Sequence, residues 1–298
     1  MDRELLMAVA EPFVLKTPRR GLVRLHQISV ASHRAELGDR IAIGVFLLLV
    51  AGAFAAPLIA PHNPIVPAGI PFGSPFHGGF LLGSDEIGQD IFSRILYGMR
   101  ASFIACGVVI SSGVVVGGAV GLIAGATGGL VDNVLMRLTD LFLAVPGPLL
   151  AIAVVASLGP SFFHTLIALM IIWWPFYARI VRAEVRALAS RPHLEAARLT
   201  GASASRRALR HLLPGVVPAV LVTASLDVCN LIIVLALLSF LGLGAPAPAP
   251  ELGAMAARGL QYLDQDWWVP VMPALAIFVI ALSANLAGDG IRDLIGDR

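Results

Sequence analysis

The side chains that could do chemistry in this chain lie in four places, and none forms a catalytic set. Residues 195–214, EAARLTGASASRRALRHLLP, are polar and Arg-rich between two long apolar runs. Pro192 suits a first helical turn, and Glu195 lies near the positive end of the helix dipole. Gly201 can close that short helix in the left-handed conformation, and Ser203 can cap a second helix running through Arg206, Arg207 and Arg210 to Pro214. The side chains offered by the first helix are small, Ala196, Ala197 and Thr200, so a partner surface can come close to its backbone. Asp227 is the one acid inside an apolar run, with Asn230 three residues on along the same helix face. A carboxylate at that depth is costly unless it faces water or a partner. The pair therefore reads either as a wall of a translocation path or as a bond between helices.

Asp85, Glu86 and Asp90 form an acidic group, with His62 and His77 in the same loop. The acids lack the alternating positions of a calcium loop, and the histidines have no further ligands at metal spacing, so the expectation is a solvated supporting face without a metal. Cys106 and Cys229 sit within apolar runs, away from any C-x-x-C, and read as inert thiols. No G-x-x-x-x-G-K-[ST] phosphate cradle is present: Lys16, the sole lysine, is preceded by Leu15, with Ala10 where the first Gly should stand. H-E-x-x-H, G-x-S-x-G and the kinase signatures are missing too. The expectation is a non-catalytic chain with no cofactor of its own.

The elements that must hold these groups are membrane spans. The chain is 57% hydrophobic and 13% charged with positive mean hydropathy, far from a soluble domain of its length. A net charge of +2 and basic residues segregated by loop argue against nucleic acid as a partner. Six apolar runs, most of them near the roughly 20 residues needed to cross hydrocarbon, are 41–60, 101–126, 141–158, 162–177, 216–243 and 269–287, the fourth being short and open to extension through Ile180 and Val181 and beyond. Residues 1–40 form a polar tail, and the run that follows lacks a cleavage pattern and reads as a retained span. With the N-terminus inside, inner segments hold eighteen Arg and Lys residues against three outside, Arg94, Arg100 and Arg258. That asymmetry places both termini and residues 179–215 on the cytoplasmic side, and 61–100 outside. Gly117, Gly121 and Gly125 make two overlapping G-x-x-x-G patterns, so the second span packs closely in the bundle. Pro146 and Pro148 are expected to kink the third span and Pro175 the fourth. Between spans two and three, Asp132 to Asp140 read as a polar connection ordered by pairing of either acid with Arg137. Trp267 and Trp268 precede the last span as interfacial anchors.

Glu195-Ala196-Ala197, Gly201 six positions after the Glu, and Leu213-Pro214 resemble the EAA loop of ATP-binding-cassette (ABC) importer permeases. Four further stretches resemble the C-type permease subunits of dipeptide, oligopeptide and nickel importers. They are Leu82-Gly83 through Asp85, Gly88, Asp90, Ser93-Arg94, Gly98, Arg100 and Ser102; Met136 to Asp140 with Pro146; the run 237–244; and Asn285, Gly288-Asp289-Gly290 and Arg292-Asp293. The resemblance covers about residues 40–298. It departs at Leu235, near which the family often carries an acid, so substrate contacts are not carried over.

The resemblance implies an all-α, six-helix, type I importer permease in a bacterial inner membrane, with Glu195, Ala196, Ala197, Gly201, Leu213 and Pro214 forming a coupling helix that docks on the ATPase. It implies a paired homologous permease, two ABC ATPase subunits or domains that bind ATP and Mg, an extracytoplasmic substrate-binding protein and a peptide substrate. A nickel or metal-chelate importer fits the same motifs. A stand-alone secondary transporter or channel is disfavoured by the single buried acid, Asp227, and by the docking loop.

Overall fold

Long apolar sequences form helices here because hydrocarbon offers no partner to an open N–H or C=O. The computed structural model describes residues 21–192 and 203–296, and these are helical apart from their loops. The chain divides into two units, Met1–Gly38 and Asp39–Arg298. Of the first, residues 21–38 lie in helix α1, Gly21–Phe54.

In the second unit a short α2, Ala56–Ile59, leads into a loop that ends at α3, Ile91–Ser112. A π-helical turn, Gly113–Gly117, carries α3 into α4, Gly118–Thr127. Then come α5, Gly129–Leu143, α6, Gly147–Leu158, and α7, Phe162–Ala189. After residues 193–202 the chain continues as α8, Ala204–Arg207, a π turn Ala208–Leu212, and α9, Leu213–Phe240. The last elements are α10, Leu252–Gly259, and α11, Trp268–Gly296.

Among the described residues, five helical stretches are long and apolar enough to cross a membrane, and α5 with α6 makes a sixth if that bent pair is one span. The expected third span, 141–158, is therefore broken. α5 and α6 meet at 79°, with Pro146 capping α6 and Pro148 in its first turn. The expected bend is present and larger than a kink, because consecutive constraints at 146–148 start a new helix. α7 passes through Pro175 without interruption. The stretch expected as a polar connection, 132–140, is helical and belongs to α5.

The main core gathers Phe103, Val109, Val155, Leu169, Leu231 and Ile280 from α3, α6, α7, α9 and α11. A second cluster, Val181, Val185, Leu188, Leu212 and Val216, joins the end of α7 to the start of α9. Glycines set the approach of the π turn Gly113–Gly117 and of α4 to α7. A Cβ on Gly117 would lie 2.2 Å from the carbonyl oxygen of Trp174, and one on Gly121 would lie 2.4 Å from that of Ala178. The G-x-x-x-G face is thus the seat of α7, as close helix packing requires.

Candidate transport and coupling site

Of the residues expected to dock a partner, Glu195, Ala196, Ala197 and Gly201 lie outside the described residues. Their flanks are described. α7 delivers the chain to Ala189, and on the far side Ser203 Oγ accepts from the Arg206 N–H at 3.3 Å, the expected cap. Leu213 and Pro214 are exposed. The second helix does not end at Pro214 as expected but runs on into α9. A proline ring clashes with the carbonyl four residues back, here that of Arg210, and the π turn Ala208–Leu212 alters the backbone spacing there.

Three acids organise the helices that carry this segment. Asp227 on α9 is 5% exposed. The Trp173 indole N–H and the Tyr177 hydroxyl, both on α7, donate to its Oδ2, the latter at 3.1 Å. Asn230 is exposed. Asp227 therefore has the facing partners that its own sequence neighbourhood could not reveal, and they bind α9 to α7.

Asp132, in the first turn of α5, is 1% exposed. Its Oδ1 accepts from Arg182 Nε, and its Oδ2 accepts from Arg182 Nη2 at 2.8 Å and from Arg186 Nη2. Asp140, two turns on, accepts from Arg179 Nη2 at 2.6 Å. The expected pairing with Arg137 is thus replaced by pairing with α7. A guanidinium on the neighbouring helix can take a carboxylate with two N–H groups side by side, a geometry that favours Arg–carboxylate pairs.

At the opposite end of α3, the acids expected to be solvated are mostly buried. Asp85 Oδ1 accepts from the Gln89 N–H at 2.8 Å and the Ile87 N–H at 3.1 Å. Burial is the leading effect on its carboxyl and raises the pKa. Asp90 caps α3, accepting from the Ser93 N–H at 3.1 Å and the Ser93 hydroxyl at 2.6 Å, with His62 Nδ1 3.4 Å away. Arg94, 1% exposed, is the keystone that sequence reasoning missed. Its Nη1 donates to the carbonyls of Pro64 at 2.7 Å and Pro248 at 3.3 Å and to Gln89 Oε1. Its Nε faces Asp85 Oδ2 at 3.6 Å. The Asp-x-x-Ser spacing of Asp90 and Ser93 was the available signal for a helix start. Together these contacts join the loop before α3 to the loop after α9.

Nowhere among these groups do a nucleophile and a base converge. The arrangement clamps helices to one another.

The chain matches the model of a family described as the binding-protein-dependent transport system inner membrane component, over residues 117–298. A probable D,D-dipeptide transport system permease of Escherichia coli strain K12 is 37% identical over 257 residues, covering 86% of each chain. A di/tripeptide transport system permease of Pseudomonas aeruginosa is 38% identical over 283 residues, 91% of this chain and 90% of that protein. A glutathione transport system permease of Pectobacterium atrosepticum is 42% identical over 217 residues, 73% of this chain and 72% of the other. In fold, the chain is similar to a methionine ABC transporter solved in an inward-facing conformation, with a TM-score of 0.55 and 21% identity, covering 69% of this chain and 97% of that one.

Proposed function

The chain belongs to the family of binding-protein-dependent transport system inner membrane components, as a multi-pass permease of an ABC importer, and from that premise we propose that its cargo is short peptides. The observation that carries the reading is identity of 37–38% over most of the chain to permeases named for dipeptides and di- or tripeptides.

In this reading residues 1–40 are a cytoplasmic tail and 41–298 the permease domain, with both termini and 179–215 inside and 61–100 outside. The preponderance of Arg in the segments assigned inside supports that orientation. Glu195, Ala196, Ala197 and Gly201, with Leu213 and Pro214 at the exit, form the contact with an ATPase, which binds ATP and Mg. A related permease completes the path, and a substrate-binding protein delivers the peptide from outside. Asn230, exposed on α9, lies on the wall of that path, and Asp227, held by Trp173 and Tyr177, fixes α9 to α7 behind it. ATP-driven closure of the ATPases moves the contact segment and rocks the helices it joins.

The test is uptake into liposomes that hold this chain with its paired permease and ATPases, supplied with the binding protein, labelled di- and tripeptides or nickel, and ATP on the cytoplasmic face. Peptide uptake that needs ATP and is lost in Glu195→Lys, at unchanged insertion, is the expected result. Nickel uptake without peptide uptake overturns the cargo, and normal uptake by Glu195→Lys overturns the contact assignment.

A further inference from the structure

α5 is a short helix between two breaks. At its start, Gly128 and Gly129 take φ of +66° and +58°, a backbone conformation that side-chain-bearing residues rarely adopt. After it, the chain turns through 79° into α6. One side of α5 is exposed and apolar, with Leu130, Val134, Leu138 and Leu141 spaced along it. On the other side Asp132, Met136 and Thr139 are buried. Its two carboxylates both bond to arginines of α7, Asp140 to Arg179 and Asp132 to Arg182 and Arg186.

These pairs differ in kind. Arg179 and Asp140 are both more than half exposed, so their bond holds little against water. Asp132 is closed off and takes three N–H donors, from guanidiniums one turn apart. A carboxylate held this way has a single arrangement of low energy, so α5 cannot slide along α7 without losing it. Arg186 is also one residue beyond Val185 of the cluster that fixes the end of α7 to the start of α9. The clamp therefore sits where the contact segment is rooted.

We propose that Asp132 is a positioning residue for energy coupling: it binds α5 to the cytoplasmic end of α7, so that displacement of the 193–202 segment is carried into α5. The glycine pair and the bend let α5 swing, and the clamp decides what it follows. This rests on the reading of that segment as the ATPase contact and adds a second, separate element through which motion reaches the path. The charge of Asp132 is needed because a neutral side chain cannot hold two guanidiniums together.

The experiment compares the full reconstituted complex carrying Asp132→Asn, Asp132→Glu or Arg186→Gln with the parent, and reads assembly, ATP hydrolysis and peptide transported per ATP. Asp132→Asn is expected to assemble and hydrolyse ATP on addition of binding protein, with transport per ATP down about 10-fold. Asp132→Glu recovers part of that ratio, and Arg186→Gln, which leaves Arg182 in place, loses less. The proposal is overturned if an assembled Asp132→Asn complex transports at the parent ratio. If Asp132→Asn does not assemble, a parent ratio in Arg186→Gln overturns it, and failure of both to assemble reduces the clamp to a structural part. Glu195→Lys separates the two readings: if it is fully coupled while Asp132→Asn is not, the contact assignment fails and with it the route from 193–202, while the need for Asp132 in coupling stands.

Discussion

Glu251 shows how a single acid can report on its surroundings. It is 6% exposed, and its Oε2 accepts from the Ser239 hydroxyl at 2.9 Å and the Ala245 N–H at 2.8 Å, joining α9 to the start of α10. Burial outweighs these two bonds and raises its pKa. The folded protein thus holds the proton at pH values where the unfolded chain has released it. That contribution to stability is complete below the ordinary carboxylate pKa and is lost as pH rises through the raised one. Glu251→Gln keeps the neutral shape without a titration. Its apparent Tm in detergent is expected to gain on the parent as pH rises through that window, whereas a difference constant with pH would contradict the assignment. Sequence alone could not place such groups. Asp85 and Asp90 read as solvated because their neighbours are polar, while their partners Gln89 and Ser93 bury them through turn and cap geometry that hydropathy does not register. Asp227 was legible as exceptional, but Trp173 and Tyr177 lie more than forty residues away and only the fold brings them near.

At the scale of elements, the glycine face of α4 makes a sharper prediction than its composition. Gly121→Ala puts a methyl group against the carbonyl of Ala178, and α4 must move away from α7. A loss of about 1–3 kcal/mol is expected from such overpacking. Gly118→Ala, which meets nothing within 4 Å, is expected to change stability little. Thermal unfolding of the two variants side by side checks the difference, and equal behaviour would mean that α4 is not seated as described. The existence of five spans was readable from apolar length alone, whereas the apolar run 141–158 is divided between α5 and α6. Their ends were less so, because charges shorten an apolar window: the extension of the fourth run past 177 was expected but its end at Ala189, beyond Arg179, Arg182 and Arg186, was not, and α3 begins at Ile91 well before 101. Asp132, Arg137 and Asp140 hid α5 in the same way, although Leu130, Val134, Leu138 and Leu141 carry the helical spacing.

For the whole molecule, topology is the property open to direct test. In a chain with Cys106 and Cys229 replaced by Ala, Phe76→Cys is expected to react with a membrane-impermeant maleimide in spheroplasts, since Phe76 stands exposed in the loop assigned outside. Arg206→Cys is expected to react only after the membrane is opened, and the reverse pattern would invert the orientation. Type I permease architecture was legible because its motifs recur along most of the sequence, each tied to a loop or helix end. The internal clamps were not, since they join residues that are distant in the chain.

The first span adds one more consequence. Of residues 37–54 only Ala53 is fully buried within the molecule, although the stretch is apolar from Ile41 onward. Phe46, Leu49 and Val50 rest on the core along one face and Phe46 meets the Phe103 ring edge-on, while the rest of the helix is secured by its own backbone bonds and by hydrocarbon. During synthesis such a span can be laid into the bilayer as soon as it emerges and remain complete while the later, glycine-seated helices are still being made.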